Sequence, residues 1–232
     1  MAVVELRGVS LKYHTVEGEI TALQDVNLKV KHKEFVSIVG QSGCGKSTLL
    51  SLVSGLIKPT RGEILIDNEP IKGTSKRVGY MLQQDYLFEW RTILDNALLG
   101  LEIRREKTLE AVDRVHHMLQ AYGLGGFESY YPPQLSGGMR QRVALIRTLA
   151  TEPDVLLLDE PFSALDYQNR LAVAEEVARI LKEREKTVIM VTHDIPEAVS
   201  MANRVIVMTP RPGTIQSIHS IKMCDEGMTP LQ

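Results

Sequence analysis

Glu34-Phe35-Val36-Ser37-Ile38-Val39-Gly40-Gln41-Ser42-Gly43-Cys44-Gly45-Lys46-Ser47-Thr48-Leu49-Leu50-Ser51-Leu52-Val53-Ser54-Gly55 is the stretch that decides the fold. Residues 34–39 are a short, mostly apolar run of the sort that makes a buried parallel strand. Residues 40–47 fit G-x-x-x-x-G-K-[ST], a loop that wraps nucleotide phosphates when a strand precedes it and a helix follows. Residues 47–54 read as that helix, and Gly55 stands where a glycine ends one. A glycine-rich turn with an incidental lysine is the bland alternative, and the strand–loop–helix context weighs against it. The fold class is therefore α/β.

The chemistry explains the residue types. Glycines 43 and 45 let the backbone turn sharply, so that several N–H groups converge on one phosphate. The helix N-terminus adds partial positive charge at the same place. Lys46 is a point charge for the β- and γ-phosphates, and the Ser47 hydroxyl is placed for Mg²⁺. Cys44 occupies a freely variable position, where a small filler residue is expected.

Outward from the loop, the chain alternates strand and helix signals. Residues 3–13 and 22–30 alternate apolar and polar side chains, as half-exposed antiparallel strands do. Residues 62–67 and 78–82 look like further strands. Helical patterning runs from Thr92 to Thr151, clearest at 108–122, where Leu109, Val112, Val115 and Leu119 make the apolar stripe. Strands return at 155–158, 187–191, 205–208 and 214–218, with a long amphipathic helix expected over 167–185. No internal repeat or heptad run is visible.

Composition excludes several classes. With 232 residues, 44% hydrophobic and 24% charged, the chain reads as an ordinary globular protein. A net charge of −2 carries no nucleic-acid footprint. Cys44 and Cys224 make no disulfide framework, so a reducing compartment is expected. No apolar run approaches the ~20 residues that cross a bilayer. The N-terminus lacks the layout of a signal peptide.

Two more segments carry chemistry. Leu135-Ser136-Gly137-Gly138-Met139-Arg140-Gln141 puts a serine and two glycines at the head of a helix expected over 139–151. That is a second anion-binding helix start, of a kind with no place in a kinase or a GTPase. Val155-Leu156-Leu157-Leu158-Asp159-Glu160 is four apolar residues followed by two acids. In open α/β sheets ligands lie beyond the carboxyl ends of the strands. Asp159 is thus placed for the Mg²⁺ shell, and Glu160, one step further out, for a general base. A solvated acidic turn is the alternative, and Lys46 and Ser47 in the same chain count against it.

These motifs, in this order, resemble the ATP-binding subunits of ABC transporters over nearly the whole length. Gly40–Ser47 matches the Walker A loop, Leu135–Gln141 the signature sequence and Val155–Glu160 the Walker B strand. Ser163-Ala164-Leu165-Asp166 matches the D-loop, Gln83 the Q-loop glutamine and His193 the switch histidine. The resemblance implies a P-loop NTPase: a RecA-like core with an antiparallel β subdomain and an inserted α-helical subdomain. It is a single domain over 1–232, with the core from 1–84 and 154–221, the helical insert over 85–153 and a mobile tail over 222–232.

The same resemblance implies the site. Tyr13, Gly40, Gln41, Ser42, Gly43, Cys44, Gly45, Lys46, Ser47 and Thr48 would hold ATP. Ser136, Gly137, Gly138 and Asp166 would meet the ATP held by a second, head-to-tail copy. Ser47, Gln83 and Asp159 would hold Mg²⁺, and Glu160, His193, Gln83 and Lys46 would carry the hydrolysis. Taken alone, His193 is equally an ordinary packed or capping residue, and Tyr13 an ordinary strand tyrosine.

Gln84-Asp85-Tyr86-Leu87-Phe88-Glu89-Trp90-Arg91 follows the Q-loop glutamine. Its large apolar groups are either lobe core or an exposed docking groove. With Arg91–Asn96 and Pro210-Arg211-Pro212-Gly213, it resembles the nitrate/sulfonate/taurine importer ATPases, whose relatives serve thiamine-precursor uptake. Glu89 departs from that subgroup, which usually carries proline there. The resemblance implies a transmembrane permease docking near Gln83–Trp90, an extracytoplasmic solute-binding protein as an indirect partner, and a peripheral place on the cytoplasmic face of the membrane. A soluble ABC ATPase acting on nucleic acid or ribosomes is the alternative. Such chains usually carry long coiled coils or tandem cassettes, and neither is present, so no nucleic-acid partner is expected.

Overall fold

Alternate residues of the central strands serve two different cores, and this sets the architecture. The computed structural model describes residues 2–16, 18–163, 170, 173–174, 177–179, 181 and 185–221. In chain order come β1 (Ala2–Thr15), β2 (Gly18–Lys31), β3 (Phe35–Val39), α1 (Lys46–Val53), β4 (Arg61–Ile66), β5 (Glu69–Pro70) and β6 (Val78–Met81). Then follow α2 (Ile93–Arg104), α3 (Leu109–Ala121), α4 (Gly137–Leu149), β7 (Val155–Asp159), β8 (Thr187–Thr192), a short helix at Ile195–Met201, β9 (Arg204–Met208) and β10 (Ile215–Ser220). One sheet has the order β10-β9-β3-β8-β7-β6, the other β2-β1-β4-β5.

The larger sheet is parallel from β9 to β6, with β10 antiparallel at its edge. Strands β3, β7 and β8 are buried along their full length, as parallel strands covered on both faces must be. Val36, Ile38, Val155, Leu157, Ile189 and Val191 point to a core shared with α1 and the antiparallel sheet. Their neighbours Leu156, Leu158, Val188 and Met190 point the other way, into a core shared with α2, α3 and α4. In-register pairing then aligns the strand ends. Val39 lies opposite Thr192, Asp159 opposite Val191, and Met81 opposite Leu158. Gly40, Gln83, Glu160 and His193 therefore leave the sheet along one edge.

Several boundaries differ from the sequence expectation. The strand at 78–82 ends at Met81, so Gln83 lies two residues beyond it. Helix α4 starts at Gly137, two residues early, because the Ser136 side chain accepts the Met139 N–H and caps the helix there. Of the stripe expected on α3, Val115 and Leu119 are buried and Val112 packs against the core, but Leu109 faces solvent, and Ala111 and Met118 are buried in addition. The helix Ile195–Met201 was not expected, although Asp194 caps it and Pro196 opens it. Of the helix expected over 167–185, the described residues 170, 173–174, 177–179 and 181 are helical.

Candidate functional site

Two glycines with positive φ shape the phosphate loop. Gly43 has φ 76° and Gly45 φ 107°. A Cβ at Gly45 would lie 2.8 Å from Leu23 Cδ2, so the loop needs glycine there for space as well as conformation. Lys46, buried at the head of α1, donates from Nζ to the carbonyls of Gly40 at 2.8 Å and Gln41 at 3.0 Å. Its ammonium is thereby held inside the curve of the loop. The Cys44 side chain is buried among core residues, so this position can offer a ligand only its backbone.

The acidic side lies across from the loop. Ser47 Oγ donates to Asp159 Oδ1 at 3.0 Å, and the Tyr80 hydroxyl to Asp159 Oδ2 at 3.3 Å. Burial raises the Asp159 pKa above its ordinary value, and the same cause pushes Tyr80 up to about 12. Hydroxyl and carboxylate oxygens set side by side are the hard donors that a small divalent cation prefers. The residues present therefore fit Mg²⁺.

Glu160 is where separate elements converge. Gln83 Nε2 donates to Glu160 Oε2 at 3.1 Å, and His193 Nδ1 lies 3.3 Å from the same oxygen. The Glu160 N–H donates to Val191 O at 2.9 Å while its φ is +48°, a conformation that costs a non-glycine residue energy. A cavity of about 200 Å³ collects Tyr13, Ser42, Lys46, Ser47, Gln83 and Glu160, with Gly43, Gly45 and Thr48 also in its wall. Tyr13, half exposed, places its hydroxyl 3.5 Å from Thr48 Oγ1 at the rim.

Ser136, Gly137 and Gly138 do not share that cavity. Gly137 lines a different one, about 430 Å³, with Gln84, Arg140, Gln141 and Ser163. Gln83 borders both, so the helix starts at Lys46 and Gly137 face different spaces. Asp166 lies outside the described residues. The aromatic segment is a surface, not lobe core. Trp90 is 75% exposed and stacks on Phe88 at 4.8 Å, with Tyr86 exposed beside them and only Leu87 buried. The fully buried Asn96 side chain bonds Phe88 through both its oxygen and its nitrogen, and Arg147 donates to the carbonyls of Asp85 and Tyr86. A rigid backbone thus presents exposed rings.

Sequence reasoning missed two members of the site. Tyr80 bonds Asp159, and its place near a strand end was the only available signal. Arg211 lines the cavity and donates from Nη2 to Gly43 O at 3.2 Å. The signal was an arginine between two prolines, though nothing local tied it to a loop 168 residues away.

Comparison with known proteins gives a concordant picture. A family model described as ABC transporter matches residues 23–163. The chain is 45% identical over 221 residues to an uncharacterized ABC transporter ATP-binding protein, YtlC, of Bacillus subtilis, covering 95% of this chain and 85% of the relative. It is 39% identical over 229 residues to the taurine import ATP-binding protein TauB of Jannaschia sp., covering 98% and 85%. The aliphatic sulfonates import ATP-binding protein SsuB of Bacillus cereus is 40% identical over 220 residues, with 95% and 86% covered. Among solved structures, the dimeric bacterial ABC transporter cassette MJ0796 superposes with a TM-score of 0.85 at 35% identity, over 95% of this chain and 100% of the other. Its dimeric post-hydrolysis state bound to ADP and Pi gives 0.83 at 34% identity, with the same coverage.

Proposed function

The chain belongs to the ABC transporter family of ATP-binding proteins, and on that premise we propose that it is the ATPase subunit of an importer for a small sulfonate-type solute. The observation that carries the catalytic part is the convergence of Gln83 and His193 on Glu160, in the wall of the cavity that also holds Lys46 and Ser47. The likeness to the taurine and sulfonate import proteins supports the solute class.

In this reading the loop N–H groups of residues 42–48 and the Lys46 ammonium bind the phosphates of ATP. Ser47, Asp159 and the Gln83 side-chain oxygen would hold Mg²⁺, which neutralises charge developing on the phosphate oxygens. Glu160 accepts a proton from the water that attacks the γ-phosphorus; the bond to the β-γ bridging oxygen breaks, and ADP and phosphate leave. Gln83, hydrogen-bonded to Glu160, and His193, whose Nδ1 lies 3.3 Å from the same oxygen, orient that carboxylate.

In this reading only half of the phosphate-binding apparatus faces the cavity within one chain, because Ser136, Gly137 and Gly138 are absent from its wall and Gly137 lines another space. A second copy supplies Ser136, Gly137 and Gly138, with Asp166 crossing the same interface, so two copies enclose two ATP molecules. The dimeric state of the similar cassette supports this arrangement. Closure of the pair moves the ledge of Tyr86, Phe88 and Trp90, which grips a transmembrane permease; an extracytoplasmic binding protein delivers the solute to that permease. Among the described residues no helix is long and apolar enough to cross a membrane. In this reading the permease holds the chain at the cytoplasmic face. We divide the chain into a core, 1–84 and 154–221, and a helical insert, 85–153.

Affinity capture of the chain from detergent-solubilised membranes of its own organism, followed by mass spectrometry, tests the transport reading. A multi-span permease is the expected companion, and Trp90→Ala should lose it while the ATPase rate of the isolated protein stays unchanged. Recovery of ribosomes or of soluble proteins alone would overturn the importer assignment and leave the ATPase in place.

A further inference from the structure

Arg211 sits in the turn between β9 and β10, which is built too firmly to be a loose hairpin end. Thr209 N–H donates to Thr214 O at 3.0 Å, Thr214 N–H to Thr209 Oγ1 at 2.9 Å, and Thr209 Oγ1 to Pro212 O at 3.1 Å. The turn is pinned to β2 as well: Gly213 N–H donates to Ala22 O at 2.9 Å, and Gln24 N–H to Gly213 O at 3.0 Å. It also abuts the phosphate loop, since a Cβ at Gly213 would lie 2.1 Å from Cys44 O. Backbone contacts thus fix where residue 211 stands relative to that loop.

The side chain is then aimed by Gly43, whose carbonyl takes one of its five N–H groups. Among the described residues Arg211 has no carboxylate within ion-pair distance, and unlike Arg104, Arg142 and Arg147, whose guanidinium groups each serve backbone carbonyls away from the cavity, it stands at the cavity wall. Its side chain, exposed to solvent, lines the cavity that also holds Lys46, Ser47 and Thr48. A guanidinium is a rigid, planar fork suited to a phosphate group, and it keeps its charge at any physiological pH.

We infer that Arg211 is a nucleotide-binding residue of this site, contacting a phosphate of the ATP wrapped by its own chain's loop. The inference rests on the nucleotide reading proposed above and adds a contact from an element outside the six motifs. A charge-assisted hydrogen bond at the cavity rim predicts that Arg211→Gln weakens ATP binding roughly tenfold.

The test is calorimetric titration of the wild-type protein, Arg211→Gln and Arg211→Lys with ATP and with GTP, at low and high salt. The melting temperature of each nucleotide-free protein is measured alongside. The expected result has three parts. Arg211→Gln loses affinity by the same factor for both nucleotides, with no change in nucleotide-free melting. Arg211→Lys binds more tightly than Arg211→Gln. The wild-type advantage shrinks as salt rises, because a charge contact is screened. Unchanged affinity in Arg211→Gln would overturn the inference. So would a loss confined to one base, a loss insensitive to salt, or a loss matched by lower nucleotide-free melting in both variants, which would mark Arg211 as a turn anchor. A wild-type protein that binds neither nucleotide would instead sink the underlying ATPase reading.

Discussion

Glu160 keeps a φ of +48° while its carboxylate takes contacts from Gln83 and His193, so local strain and convergence meet on one residue. Directly behind it, Glu197 is buried: Oε2 accepts from Thr192 Oγ1 at 3.2 Å, and Oε1 has no hydrogen-bond partner among the described residues. Burial, helped by the nearby Asp194 and Glu160 carboxylates, raises its pKa from 4.5 to about 7 against the Thr192 bond and the Arg170 charge. Between those two values the folded chain binds more protons than the unfolded one. Stability from this group is therefore present below pH 4.5, falls as pH rises toward 7 and is flat above, a loss of about 3 kcal/mol in all. Glu197→Gln should flatten that part of the stability–pH profile in denaturant titrations; an unchanged slope would contradict the assignment. Residue by residue, the loop glycines, Lys46, Ser47, Asp159 and Glu160 were legible because each motif is local in sequence. Tyr80, Arg211 and Glu197 were not, because their partners are non-local or, for Glu197, depend on burial behind the strand ends.

The elements show the same division. Gly55 was read as a helix terminator, and α1 does end there: Leu56 N–H donates to Ser51 O and Gly55 N–H to Leu52 O, with Gly55 at φ 77°. A Cβ at this site would lie 2.2 Å from Gly73 O, a backbone atom that cannot swing aside. Gly55→Ala should therefore destabilise by about 2 kcal/mol or more from left-handed strain and crowding. That lowers the melting temperature by roughly 4–8 °C for a chain of this size. An unchanged melting temperature would mean that α1 does not need this stop. Strand positions were readable because apolar runs and alternation are strong signals over five or six residues. The Ile195–Met201 helix was missed because seven residues give barely two turns of periodicity, although the Asp194 cap and Pro196 were both in plain sight. The outward turn of Leu109 had no local sign, since which stripe of α3 is buried depends on where α2 and α4 lie.

At the scale of the molecule, one chain places the helix starts at Lys46 and Gly137 in separate cavities that meet at Gln83. A lone copy would thus hold ATP against Lys46 and Glu160 without the Ser136 segment facing it. The α/β class was legible from the order of strands and helices. The alignment of Gly40, Gln83, Glu160 and His193 along one sheet edge needed the parallel register, which no sequence pattern states. The aromatic ledge was read as a docking segment with lobe core as the alternative, and only the exposure of Phe88 and Trp90 separates the two, because aromatic content alone fits either. If two copies close on ATP, Glu160→Gln should trap the closed pair, since losing the base slows hydrolysis by about 10²–10⁴-fold while leaving binding intact. Sedimentation velocity of Glu160→Gln, with and without saturating ATP and Mg²⁺, is the most direct measurement. A monomer without nucleotide and a dimer with it are expected. A protein that binds ATP yet sediments as a monomer under both conditions would contradict the shared site.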